Sequence, residues 1–207
     1  MDRLPFERFN TFSHLSGLIA ASISSCFLFR SALLTKNWIE ILAVAIYGVT
    51  TVALFFGSTL YHAHTGSKKK QLQLLDHILI FIKIAGNFTP FMLISVKSMN
   101  AYLVLAVVWL LAIIGILLEL QLRERAEKIS LLIYLVMSLS ALVITKELLL
   151  ALPIMGFILL MLGGFFYLGG LYFFINDAKI KHGHGYWHLC VIAGSFSHYF
   201  CLQFFVV

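Results

Sequence analysis

His184 and His188 stand four residues apart, the spacing that puts two imidazoles on one face of a helix with Cβ atoms about 6 Å apart. Two ring nitrogens so placed can grip one metal ion, at about 2.0 to 2.1 Å each when the ion is zinc. His62 offers a third imidazole from a distant part of the chain. Three neutral histidines leave the fourth tetrahedral position to water, the open arrangement of a catalytic zinc site. Carboxylates would widen the choice of metals, whereas a three-histidine set suits zinc. Asp76 and Ser58 are the groups that could work beside such an ion. Asp76 would act as an orienting carboxylate or general base, and the Ser58 hydroxyl would hold the water or a substrate carbonyl.

For these residues to meet, the chain must bring them to one depth, and its composition says depth in what. Of 207 residues 61% are hydrophobic and only 12% charged, with a mean hydropathy of +0.96. A soluble chain carries about 25% charge, so this one is expected to be an all-α integral membrane protein. Apolar stretches at about 10–29, 38–62, 74–96, 100–121, 129–150, 153–175 and 185–206 each approach the ~20 residues that cross ~30 Å of hydrocarbon. The expectation is a single seven-transmembrane helix bundle over residues 1–207, with Pro153 breaking the sixth span from the fifth and Lys146 and Glu147 at an interface. "LIAASISS" has the small residues of a signal-peptide cleavage site, but Asp2 and Glu7 speak against the basic leader such a peptide needs.

Lysine and arginine set the orientation. On the side of the N-terminus lie Arg3, Arg8, Lys68, Lys69, Lys70, Arg123, Arg125, Lys128, Lys179 and Lys181, against Arg30, Lys36, Lys97 and Lys146 opposite. The bias predicts a cytoplasmic N-terminus, an outer C-terminus, and residence in the inner (plasma) membrane. The net charge of +6 then reads as topology signal and contact with anionic lipid headgroups, with no nucleic-acid partner. With this topology Ser58 and His62 end span two, Asp76 and His77 begin span three, and His184 and His188 begin span seven, all at the cytoplasmic membrane level.

The pair His184 and His188 alone would also suit interface anchors, and Asp76 with the histidines would equally make a proton relay. Histidines 64, 77 and 182 are expected near the interface, and His14 and His198 further from the metal; His198 is about 15 Å along the helix from His188. Cys26, Cys190 and Cys201 show no CxxC spacing and read as apolar packing. Gly86 and Pro90 predict a kink in span three, and Lys83 is expected to pair with an acid or to bind a lipid phosphate or carboxylate. Glycines 163, 164, 169 and 170 permit close helix approach, within the bundle or between copies.

The order "STLYH", "LLDHILIFIKIAGNFTPF", "HGHGYWHLCVIAGSFSH" resembles the hemolysin III branch of the progestin and adiponectin receptor family (PAQR), over nearly the whole chain. The resemblance implies seven helices, a cytoplasmic N-terminus and an intramembrane Zn2+, with His62, His184 and His188 as ligands and Ser58 and Asp76 beside the metal water. It also implies kinship with membrane hydrolases of the alkaline ceramidase kind, and with bacterial regulators of membrane energetics and lipid composition. The expected function is a zinc-dependent intramembrane hydrolase of a lipid-like, ceramide-like or acyl amide substrate, with membrane lipids as partners. A non-catalytic zinc-stabilised sensor is the alternative. A pore-forming haemolysin finds poor support, since no span repeats a polar stripe.

Overall fold

Strong helix formers punctuated by short polar turns give eight α-helices and no strand among the described residues, 4–207, of the computed structural model. The charge argument drawn from Asp2 and Arg3 lies outside the described residues. In chain order the helices are α1 (Leu4–Thr35), α2 (Trp38–Ala63), α3 (Lys69–Pro90), α4 (Met99–Leu122), α5 (Glu127–Leu139), α6 (Thr145–Ala151), α7 (Ile154–Ile175) and α8 (Gly183–Phe205). The starts of α2 and α4 are fixed by side chains: Asn37 Oδ1 accepts from Ile39 N at 3.0 Å, and Ser98 Oγ accepts from Ala101 N at 3.1 Å. These contacts satisfy amide groups that a helix start leaves unpaired.

Among the described residues six segments are long and apolar enough to cross a membrane: Glu7–Thr35, Trp38–Ala63, Lys69–Val96, Met99–Leu122, Glu127–Ala151 and Ile154–Ile175. Their exposed faces are apolar, as in Leu34 at 75% and Phe165 at 70% exposure, which in a bilayer is contact with lipid rather than water. Helix α8 has the length of a span, 23 residues, but is less apolar because it carries His184, His188, Ser195, Ser197 and His198. It packs between α7 and α1, and α1 continues to α2, α2 to α3 and α3 to α4.

Two expectations change in detail. Helix α1 begins at Leu4, well before residue 10, which brings Glu7, Asn10 and His14 onto one continuous helix. The fifth span is broken: a tight 3-10 turn over Ser140–Ile144 separates α5 from α6. Span three runs on past Pro90, within the expected bounds, as a π-helical turn, Phe91–Val96, that closes on Lys97 with Lys97 N donating to Met92 O at 3.1 Å. A π turn absorbs the backbone bond that proline cannot make. At Gly86 the packing of α3 on α2 is so close that any Cβ would collide with Thr50.

The glycines of α7 also find their role. Gly163 lies against His198 and Gly194, and Gly170 against Cys190 and Trp187, so both serve the α7–α8 contact inside the bundle, whereas Gly164 and Gly169 meet nothing within 4 Å. Of the cysteines, all free, Cys201 is buried and Cys190 partly so, but Cys26 is exposed on the lipid side rather than packed inside.

Candidate metal centre

Helices α1, α2 and α8 converge at the end of the bundle that carries the N-terminus, and four imidazoles meet there. Ring centroids lie 4.8 Å apart for His62 and His188, 4.6 Å for His184 and His188, and 5.3 Å for His62 and His184. His14 joins them, 3.8 Å from His188 and 5.9 Å from His62. The expectation that His14 stands apart is thus corrected: one turn after Asn10 on the extended α1, it points into the same group. Its ligand atoms and those of His62 and His188 all lie within 4.8 Å of one another, and all three residues are buried.

The donor set fits a divalent transition metal. Buried ring nitrogens without a hydrogen-bond partner are costly, and among the described residues two such atoms occur here, His14 Nδ1 and His62 Nε2. Tetrahedral bonds of 2.0 to 2.1 Å put ligand nitrogens about 3.3 Å apart, so side-chain rotations of an ångström or two separate this arrangement from a closed shell. Two sets of three imidazoles compete. The ligand atoms of His14, His62 and His188 already lie within 4.8 Å of one another, while His184, one turn before His188 on α8, brings its ring to 4.6 Å from His188 and 5.3 Å from His62. His184 Nδ1 lies 3.4 Å from Asp177 Oδ2, which leaves its Nε2 for an ion.

Around the histidines stands a shell of orienting groups that sequence reasoning missed. Glu7 Oε2 is 2.7 Å from His62 Nδ1, and Glu7 Oε1 accepts from Lys69 Nζ at 3.2 Å. Lys69 also donates to Tyr61 O at 2.6 Å. Ser13 Oγ lies 3.2 Å from His188 Nδ1, leaving the other nitrogen of that ring for an ion. A carboxylate on one nitrogen fixes the tautomer and presents the other as a ligand. The missed signal was the spacing of Glu7, Asn10 and His14, three and four residues apart and therefore on one helix face, hidden by starting the helix too late.

Ser58 and Asp76 are brought together as well: the buried Ser58 hydroxyl donates to Asp76 Oδ1, joining α2 to α3 one turn from His62. His77, beside Asp76, turns away to Glu119 at 3.5 Å, and the buried Glu119 also accepts from Ser130 Oγ at 2.6 Å. His64 closes α2, and His182 precedes α8 with its ring 5.7 Å from Phe9. His198 sits deep in the bundle, bonded through Nδ1 to Asn87 at 2.8 Å and through Nε2 to Leu160 O at 3.0 Å. Lys83 has no acid partner among the described residues: its ammonium donates to Asn87 Oδ1 at 3.3 Å and rests over the Tyr47 ring at 4.5 Å.

Comparison with known proteins adds a family to this geometry. Residues 3–199 match the family described as "Haemolysin-III related". The chain is similar to the "Hemolysin-3 homolog" of Bacillus subtilis (strain 168), 35% identical over 199 residues, covering 96% of this chain and 93% of that one. "Hemolysin-3" of Bacillus cereus is 38% identical over 168 residues, 81% of this chain and 76% of that one. The human "Monocyte to macrophage differentiation factor" is 28% identical over 200 residues, 93% of this chain and 81% of that one.

Proposed function

From the premise that this chain belongs to the haemolysin-III related family of multi-pass membrane proteins, we propose that it is an intramembrane hydrolase of lipid-like amides that works with zinc, in a single seven-helix bundle with its N-terminus cytoplasmic. The observation that carries this reading is the pairing of a buried imidazole group with a buried carboxylate one turn away, at one end of a lipid-facing bundle. His62, His184 and His188 would hold the ion, with Glu7 and Ser13 fixing two of the rings. Bound zinc supplies Lewis-acid polarisation and makes water a nucleophile near neutral pH.

The protein's own groups do the rest. Asp76 accepts the proton of the attacking water and hands it to the departing amine, so that amide and water become carboxylic acid and amine. Ser58 holds the carboxylate in register by donating to Oδ1. The buried position of both groups keeps bulk water from competing. Incubating the purified zinc-loaded protein with acyl amides such as ceramides should release fatty acid, and His188→Ala and Asp76→Asn should each abolish release. Release that survives both substitutions rejects the reading.

The fourth imidazole favours a second reading. If His14 turns into the shell beside His62, His184 and His188, all four tetrahedral positions are filled by protein, the closed arrangement of a structural site. The protein would then be a zinc-stabilised sensor or regulator of the membrane. Metal removal would lower its melting temperature and no amide would turn over.

A further inference from the structure

At the opposite end of the α1–α8 seam lies a cleft of about 470 Å³, fifteen residues along α8 from His188 at Gln203, or about 22 Å at 1.5 Å per residue. It is separate from the histidine centre and independent of the zinc chemistry proposed above; only its leaflet rests on the proposed orientation. Its walls are apolar and open to lipid, with Phe27 at 56%, Leu34 at 75% and Phe204 at 67% exposure. Into these walls are set three polar groups, Arg30, Ser31 and Gln203. Gln203 Nε2 donates to Ser31 Oγ at 2.9 Å, while its Oε1 is buried with no hydrogen-bond partner among the described residues. Arg30 pairs with no carboxylate among the described residues.

The depth is that of a headgroup. Arg30 precedes the end of α1 by five residues and Gln203 precedes the end of α8 by two, so both lie within about 8 Å of the helix ends. Trp38, 71% exposed at the start of α2, marks the same interfacial belt. A guanidinium at this level matches a phosphate diester in bidentate fashion. The unmatched Gln203 carbonyl calls for a donor on the same ligand. Free phosphate would leave the apolar walls uncovered, and a neutral lipid would leave Arg30 unpaired.

We infer that this cleft is a binding site for one glycerophospholipid whose headgroup carries a hydrogen-bond donor, an ammonium or a hydroxyl. The phosphate lies on Arg30, the Gln203 amide turns so that its Oε1, closed off in the free chain, meets the headgroup donor, and an acyl chain runs along Phe27 toward the bilayer centre. With the N-terminus cytoplasmic, the lipid belongs to the outer leaflet.

The test is lipid titration of the purified full-length protein in detergent, read by native mass spectrometry. The lipids are phosphatidylethanolamine, phosphatidylglycerol, phosphatidylcholine and diacylglycerol. One phosphatidylethanolamine or phosphatidylglycerol should bind, at least about tenfold more tightly than diacylglycerol, and Arg30→Leu should remove that margin. Gln203→Leu should erase the preference of these two lipids over phosphatidylcholine, which lacks the donor, and leave phosphate-dependent binding in place. Arg30→Lys should bind with intermediate strength, and unchanged melting of each variant in lipid-free detergent shows that it is folded. Equal affinity for diacylglycerol, or Arg30→Leu binding like the parent chain, overturns the inference. So does a melting temperature that falls in Arg30→Leu and equally in Arg30→Lys, which would make the arginine structural.

Discussion

Glu7 holds His62: the carboxylate of α1 meets the Nδ1 of a ring on α2 at 2.7 Å, across a gap of 55 residues in sequence. A carboxylate in this position both aims the imidazole and makes it a better ligand. Replacing Glu7 by Gln keeps the shape and loses the charge, and should weaken zinc binding about 10- to 100-fold. Titration against a chromophoric chelator measures this without any assay of turnover. Lys69, which shares Glu7 at 3.2 Å, should matter less, because it does not touch the ring.

His14 and His184 compete for the role of third ligand, and single substitutions separate them. His184 shares one face of α8 with His188, four residues on. His184→Ala should therefore lose stoichiometric zinc, whereas His14→Ala should keep one ion per chain. Metal analysis of the two purified variants decides the matter, and the reverse pattern would assign the site to His14, His62 and His188.

Ser58→Ala removes the donor that fixes Asp76 and leaves the imidazoles untouched. Amide release should fall by about tenfold, the weight of one hydrogen bond to a charged group, while loss of the base itself in Asp76→Asn should cost about 10² to 10⁴. Zinc content should be unchanged in both variants, and a parallel loss of zinc would instead make the pair structural.

Lys83 is a buried ammonium whose only oxygen partner among the described residues is the Asn87 amide. A charge at such depth costs at least about 2.5 kcal/mol, so Lys83→Met, with similar length and no charge, should stabilise the fold. At about 2 to 4 °C per kcal/mol for a chain of this size, a melting temperature raised by several degrees is expected. A fall of similar size would show that the lysine holds a required anion.

Adjacent glycines on α7 give a matched pair. An added Cβ at Gly163 would strike the His198 ring and approach Gly194 O at 3.1 Å, while one at Gly164 meets nothing. Gly163→Ala should cost about 1 to 3 kcal/mol through overpacking, and Gly164→Ala should be neutral or mildly stabilising. Denaturation in detergent compares them directly.

Much of this fold was legible because a bilayer imposes length and apolarity on each span, and those are properties of local sequence. His62, Ser58, Asp76 and His188 could be placed at one depth by direction of travel alone. What escaped was the part of α1 before residue 10, where Glu7 and Arg8 interrupt the apolar pattern although the backbone stays helical. With those residues went His14 and the carboxylate on His62. The break at Ser140–Ile144 was also hidden, since it falls inside an apolar run whose hydropathy does not report a change of helical pitch. The α2 neighbour of Lys83, Tyr47, and the α8 neighbours of Gly163 were unreadable for another reason: they depend on which helices pack together, which no single segment encodes.

Helix α1 starts only three residues ahead of Glu7, about one turn from the carboxylate that steers the imidazole cluster. An affinity handle fused at that end would therefore sit beside the native ligands, and a polyhistidine one would add competing imidazoles and falsify any count of bound ions. Purification by a cleavable handle after Val207 places the foreign residues at the far end of the molecule, where they leave the metal stoichiometry readable.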